Sequence, residues 1–174
     1  MPKLSNDFNV DRHVANMYLA YDTLSDPMKE TLKGIRTWNV GDRKKLGRNN
    51  EMGSTRDGRY AGNAKMAAKV RDPGELQTEC AHPLVRTHPE TGRKALYIGN
   101  HTQTFDGFKR AEARPILDFL MTHAVQPEFT CRFRWEVGSL AIWDNRCTQH
   151  RALNDYPGKR RRMHRITVAG DAPF

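Results

Sequence analysis

The sequence predicts an α+β domain, mainly β, in which short antiparallel strands build a sandwich or jelly-roll barrel flanked by helices. Three observations carry that prediction. Residues 129–135 alternate without a fault, apolar at odd and polar at even positions, the period of a strand with one buried face. Residues 82–88 and 94–100 read as two further strands across the turn Pro89-Glu90-Thr91-Gly92. Short strands at such spacing are typical of antiparallel sandwiches and jelly rolls, while apolar residues three and four apart mark helices on either side.

Taken in order, residues 1–13 are polar and patternless and are expected to be disordered. Residues 14–24 read as a helix with Met17, Ala20, Tyr21 and Leu24 on one side. A second helix opens at Ser25-Asp26-Pro27, with Asp26 as its cap and proline at the first helical position. Its apolar face is Met28, Leu32 and Ile35, extending toward Trp38. Residues 41–75 hold many glycines and polar residues with no sustained period, which predicts a long basic surface loop, either a lid or plain disorder. Residues 111–124 form a helix with Ile116, Leu117, Leu120 and Ala124 as its buried stripe. After the strand 129–135, Glu136-Val137-Gly138 turns into a strand at 139–143, and 161–168 is the last strand. No internal repeat is present.

At 174 residues and 20.0 kDa the chain is read as a single domain over residues 1–174. It has no apolar run near the ~18 residues of a membrane span and no secretory-type apolar core after Met1, so the expected location is cytoplasmic. The three cysteines, Cys80, Cys131 and Cys147, show no CxxC spacing, against a zinc ribbon or disulfide framework. Cys131, within the alternating stretch, is expected to be a buried small apolar residue. Net charge is +9, which raises nucleic acid as a partner. Nine Lys/Arg against three acidic residues lie between 41 and 71, yet Tyr60 is the one aromatic there, so a solvated basic loop is favoured over a nucleic-acid site.

The chemistry is concentrated near the C-terminus. On a strand at 161–168, Arg161, Met163, Arg165 and Thr167 share one face, with the two guanidiniums about 13 Å apart at ~3.3 Å per residue. Arginine's planar fork suits a carboxylate or sulfonate, although one arginine facing solvent or paired internally accounts for the spacing as well. His150 alone is as compatible with a structural hydrogen bond as with a metal, and Asp144 with a turn or charge pair.

The string Trp143-Asp144-Asn145-Arg146-Cys147-Thr148-Gln149-His150, with Arg161 and Arg165 eleven and fifteen residues after the histidine, resembles the C-terminal signature of the taurine dioxygenase (TauD/TfdA) family. The upstream stretches HPLVRTHPETGRKALYIG and PEFTCRFRWEVGSLAIWDNR are similar to it too. The resemblance covers most of residues 14–174 apart from the Gly-rich loop. It implies a double-stranded β-helix (jelly roll) and a 2-His-1-carboxylate Fe(II) site with positions open for 2-oxoglutarate and O₂. His150 then matches the distal metal-ligating histidine, Arg161 the arginine that binds the far carboxylate of 2-oxoglutarate, and Arg165 the arginine that faces an anionic substrate group. Residues 143–146 match the lead into the ligand loop, with a structural role. In this class 2-oxoglutarate is decarboxylated and a substrate C–H bond is hydroxylated, the metal carrying the hard step.

The resemblance has a gap. The family's remaining two ligands form a His-x-Asp motif well upstream, and none occurs here: His13 is followed by Val14 and Ala15, His88 by Pro89 and Glu90, His101 by Thr102 and Gln103. The reading is therefore an N-terminally truncated, incomplete jelly roll, inactive by itself, from an enzyme acting on a sulfonate or carboxylate. The stretch 97–102 is read either as substrate-lining or as a strand-end turn. A catalytically inactive jelly-roll module for binding or assembly is the alternative, homo-oligomer formation is left open, and neither specific nucleic acid nor membrane is expected as a partner.

Overall fold

The computed structural model describes residues 10–40, 79–153, 163–170, 172 and 174. The basic loop expected at 41–75 and the arginine at 161 lie outside the described residues, as do residues 1–9. Eight strands and three helices are described, together with one short 3₁₀ turn at Pro127–Phe129. Strands outnumber helices, and all pairings are antiparallel.

The first strand, β1 (Val10–Asn16), ends where Asn16 caps α1 (Met17–Asp22). The Asn16 side chain accepts from the backbone N–H of Tyr18 at 3.0 Å and of Leu19 at 3.3 Å, satisfying two donors a helix start leaves open. Thus the helix expected at 14–24 begins at Met17, and residues 10–13 are strand rather than disordered. The strand is supported on both sides: β1 is the centre of a three-stranded sheet, with its partners supplying ladders that no local pattern encodes. The expected helical face survives, for Met17, Ala20 and Leu24 are buried with Tyr21 against them.

In α2 (Asp26–Leu32) the cap is Ser25 rather than Asp26: its hydroxyl accepts from the Met28 N–H at 3.4 Å, leaving Asp26 in the first turn. Gly34, at φ +74°, closes the turn in a conformation open to glycine. Ile35 and Trp38 therefore lie beyond the helix, Trp38 on β2 (Arg36–Val40).

The stretch 82–88 divides. Residues Glu79–Pro83 (β3) pair with β2, and Val85–Thr87 (β4) pair with Lys94–Leu96 (β5). Leu84 is the switch: its N–H donates to Ile35 O at 2.9 Å and its carbonyl accepts from Tyr97 N at 2.7 Å. Residues 97–101 then turn into β6 (Thr102–Phe105), which pairs with β2. The helix α3 (Arg110–Ala124) buries Ala113, Leu117, Leu120 and Ala124, with Ile116 at the margin. One apolar core gathers Met17, Leu32, Leu84, Leu96, Phe105 and Leu120, all essentially inaccessible, each contributing on the order of 1.5–3 kcal/mol by burial.

The last two strands are β7 (Thr130–Trp135) and β8 (Thr148–Ala152), flanking β1 in the order β7-β1-β8. Two expectations fail in this region. Cys131 is exposed, because β7 is an edge strand with no layer over Cys131 among the described residues. Residues 139–143 and 163–168 are not strands, and Leu140, Ile142, Ile166 and Val168 are 81–93% exposed. Alternation sets which face a strand would show, but a strand exists only where a neighbour completes its hydrogen bonds. No described residue pairs with either stretch.

Candidate active site

His150 sits near the middle of β8, opposite Val14 of β1. Side chains directly opposite share a face, so His150 lies on the side of the sheet that also carries Arg12, Val14 and, across β1, Phe133 and Trp135. The Trp143 ring meets the His150 ring edge-on at 5.0 Å, and the Arg12 guanidinium lies 4.9 Å from the centre of Trp143. Partial burial lowers the His150 pKa, and the charges of Arg12 and then Arg165 lower it further. Arg165 is exposed and not on a strand, yet its charge reaches His150. No described contact joins Arg165 to His150, and Arg161 lies outside the described residues.

Behind this face a second polar cluster anchors the turn that launches β8. His88, at the end of β4, is 5% exposed. Its Nδ1 accepts from the backbone N–H of Glu90 at 3.2 Å and of Thr91 at 3.3 Å. A ring nitrogen accepting two N–H groups carries no proton, so in the neutral ring the proton is on Nε2, which donates to Asp144 Oδ2 at 3.1 Å. Asp144 is also chelated by Arg146, through the backbone N–H at 2.7 Å, Nε at 3.0 Å to each oxygen and Nη2 at 2.7 Å. The Arg146 Nη1 donates in turn to Glu90 Oε1 at 2.8 Å. The Arg146 hydrogen bonds, foremost, then that from His88, hold the Asp144 carboxyl well below the ordinary carboxylate range.

His88, Asp144 and Cys147 place one donor atom each within 4.8 Å of one another, the one such group of three among the described residues. These residues do not fit a metal. Both imidazole nitrogens are engaged, the carboxylate already receives the Arg146 fork and His88, and burial raises the Cys147 thiol pKa, keeping it protonated. His150 belongs to no group of three possible ligands among the described residues. The set present therefore does not make an Fe(II) site, which needs several preorganised ligands. Residue-type reasoning missed the His88 clasp. Its signals were the His-x-Glu spacing of His88 and Glu90, and the Asp-x-Arg spacing of Asp144 and Arg146, but the two pairs are 56 residues apart.

The site is thus a strand-borne histidine beside Trp143, on a β-rich domain in which the WDNR turn anchors the strand. The chain matches the Taurine catabolism dioxygenase TauD, TfdA family over residues 11–167, and it belongs to that family. An α-ketoglutarate-dependent sulfate ester dioxygenase of Pseudomonas putida is 42% identical over 95 residues, 55% of this chain and 32% of its own length. An α-ketoglutarate-dependent 2,4-dichlorophenoxyacetate dioxygenase of Cupriavidus pinatubonensis is 35% identical over 166 residues, 93% of this chain and 51% of its own. The crystal structure of AAD-2 with Mn(II) and N-oxalylglycine superposes with a TM-score of 0.71 at 29% identity, covering 98% of this chain and 62% of that one. The chain spans about a third to a half of the length of these two curated relatives.

Proposed function

We propose that this chain supplies the distal-histidine side of an Fe(II)- and 2-oxoglutarate-dependent dioxygenase that hydroxylates a small anionic substrate, a sulfonate or a carboxylate. His150 would be one metal ligand, Arg161 would bind the far carboxylate of 2-oxoglutarate, and Arg165 would meet the substrate's anionic group. The observation that carries the reading is the position of His150, beside Trp143 on a strand whose start is tied down by the WDNR turn. The names of the relatives, acting on a sulfate ester and a phenoxyacetate, support an anionic substrate, as does the cationic surround of His150.

In this reading the chain is an incomplete jelly roll lacking the His-x-Asp ligands. The absence of a second ligand beside His150 among the described residues favours that view, and equally favours a catalytically inactive module used for binding or assembly. Fe(II)-dependent release of CO₂ from 2-oxoglutarate tests it. The purified chain is expected to give none, and robust turnover would refute the incomplete-site reading. An upstream open reading frame encoding His-x-Asp, expressed in line with this chain, is expected to restore turnover. If it does not, the inactive-module reading holds.

A further inference from the structure

We propose that His88 is a positioning residue for His150, acting through the Asp144 carboxylate and the 144–147 turn. The inference rests on the reading above only in taking His150 as the residue whose placement matters.

The side chains form a closed ring. His88 Nε2 donates to Asp144, Arg146 grips Asp144 and reaches Glu90, and the Glu90 N–H returns to His88 Nδ1. The ring joins the β4–β5 hairpin to the turn before β8. From that turn the Asp144 carbonyl accepts from the Cys147 N–H at 3.4 Å and from the Thr148 hydroxyl, and the Cys147 carbonyl accepts from Met17 N at 3.0 Å. Thr148 is the first residue of β8, and His150 follows two residues later on the same face. A strand that slips by one residue turns every side chain to the opposite face, so whatever sets the phase at Thr148 decides whether His150 faces Arg12 and Trp143 or the core side. Trp143, whose ring lies 5.0 Å from the His150 ring, directly precedes Asp144, so both the phase of the strand and the wall beside the imidazole descend from one anchored residue.

The clasp has no other role in view. It does not fit a metal, and its buried member, His88, has both nitrogens committed to backbone N–H groups and to Asp144. The path to His150 is short: one carboxylate, one turn and two strand residues.

Protein labelled with ¹³C at histidine and at the leucine methyls, observed by ¹H–¹³C NMR, tests the proposal. In the parent chain the His150 ring protons are expected to be displaced by the Trp143 ring current, a displacement that W143F changes and thereby assigns. The H88A and D144N variants are expected to lose that displacement while the methyl signals of Leu117 and Leu120, in the core under α3, stay in place. H88Q, whose amide can still donate to Asp144, is expected to recover at least part of it. Because H88A could unfold the chain, D144N and H88Q carry the test if the Leu117 and Leu120 signals collapse. Unchanged His150 signals in D144N and H88A, with the core intact, would overturn the proposal. That outcome is separate from failure of the dioxygenase reading, which is read by CO₂ release and does not depend on ring position in this chain.

Discussion

The turn at 144–147 and the face of β8 it supports are adjacent, yet they are built to different standards. In the clasp every side-chain polar atom of His88 and Asp144 has a partner and the ring closes on itself. Around His150 the contacts are fewer, the Trp143 ring and beyond it the Arg12 guanidinium, while Leu140 and Ile142 in the stretch that leads to Trp143, and Ile166 and Val168 beside Arg165 in sequence, are almost fully exposed. Exposed large apolar side chains, where they gather into a patch, mark surfaces that function when covered. The difference teaches that this polypeptide encodes the anchoring of its candidate ligand completely, whereas no described residue covers the surroundings in which that ligand would act.

The sharpest way to break the comparison is to truncate large apolar side chains on each side of it. Phe105→Ala removes a side chain with no accessible surface and is expected to cost about 3–5 kcal/mol, by lost transfer and cavity formation. Ile142→Ala, at 89% exposure, is expected to stay within about 0.5 kcal/mol. Urea unfolding of both variants measures this, and a comparable cost for Ile142→Ala would mean that a hidden surface covers 139–143.

A second contrast lies two residues from the clasp. Arg86, on β4 two residues before His88, is equally buried, yet its Nε and Nη2 have no hydrogen-bond partner among the described residues, and its guanidinium rests 5.3 Å from the centre of the Tyr97 ring. A buried charge without a counter-ion is costly, and apolar replacement of buried ionic groups gains about 1–4 kcal/mol, less the cation–π contact of about 0.5–2 kcal/mol. Arg86→Met is therefore expected to lie between neutral and a stabilisation of about 3 kcal/mol in the same assay. Destabilisation instead would show that Arg86 is paired in solution.

Acid should separate the two regions as well. The folded Asp144 carboxyl lies well below its ordinary value of 3.8, chiefly through Arg146 and then His88. A group depressed on folding stabilises fully above the unfolded value and loses that contribution as pH falls from there through the folded one. The clasp should hold at pH 4 and weaken below it. Asp144→Asn, which weakens an acceptor of the buried His88 donor, is expected to cost about 1–3 kcal/mol at neutral pH and to flatten the stability loss below pH 4, followed by circular dichroism.

How much of this was legible in the sequence depended on whether the cause was local. The α3 stripe Leu117, Leu120 and Ala124 follows from the helical period within one segment, and the Pro89–Gly92 turn from its own residues. Trp143–His150 with two downstream arginines was legible as a signature. By contrast β1, β2 and β6 depend on partners remote in sequence, and β1 hides behind the apolar spacing of the helix that follows it. Regular alternation at 129–135 gave a real strand but the wrong burial for Cys131, since alternation cannot say whether a layer covers the face. His88 escaped notice because its meaning is a contact with Asp144 across 56 residues.

The smallest predicted effect is the one closest to the candidate chemistry. Partial burial, then Arg12, then Arg165 hold the His150 imidazole below its ordinary 6.5. Its folded pKa is lower than the unfolded one, so on acidification the unfolded chain takes up this proton first. The resulting loss of stability begins near pH 6.5 and grows as pH falls toward the folded value, opposite in placement to the loss from Asp144 below pH 4. Arg165→Gln removes one of the two cations and should move the His150 titration, followed through its ring protons, upward toward 6.5. Arg12→Gln should move it further, as the larger of the two charge effects. An Arg165→Gln titration that coincides with the parent's would place the Arg165 charge away from this face in solution, and would leave His150, Trp143 and Arg12 as the site that the described residues assemble.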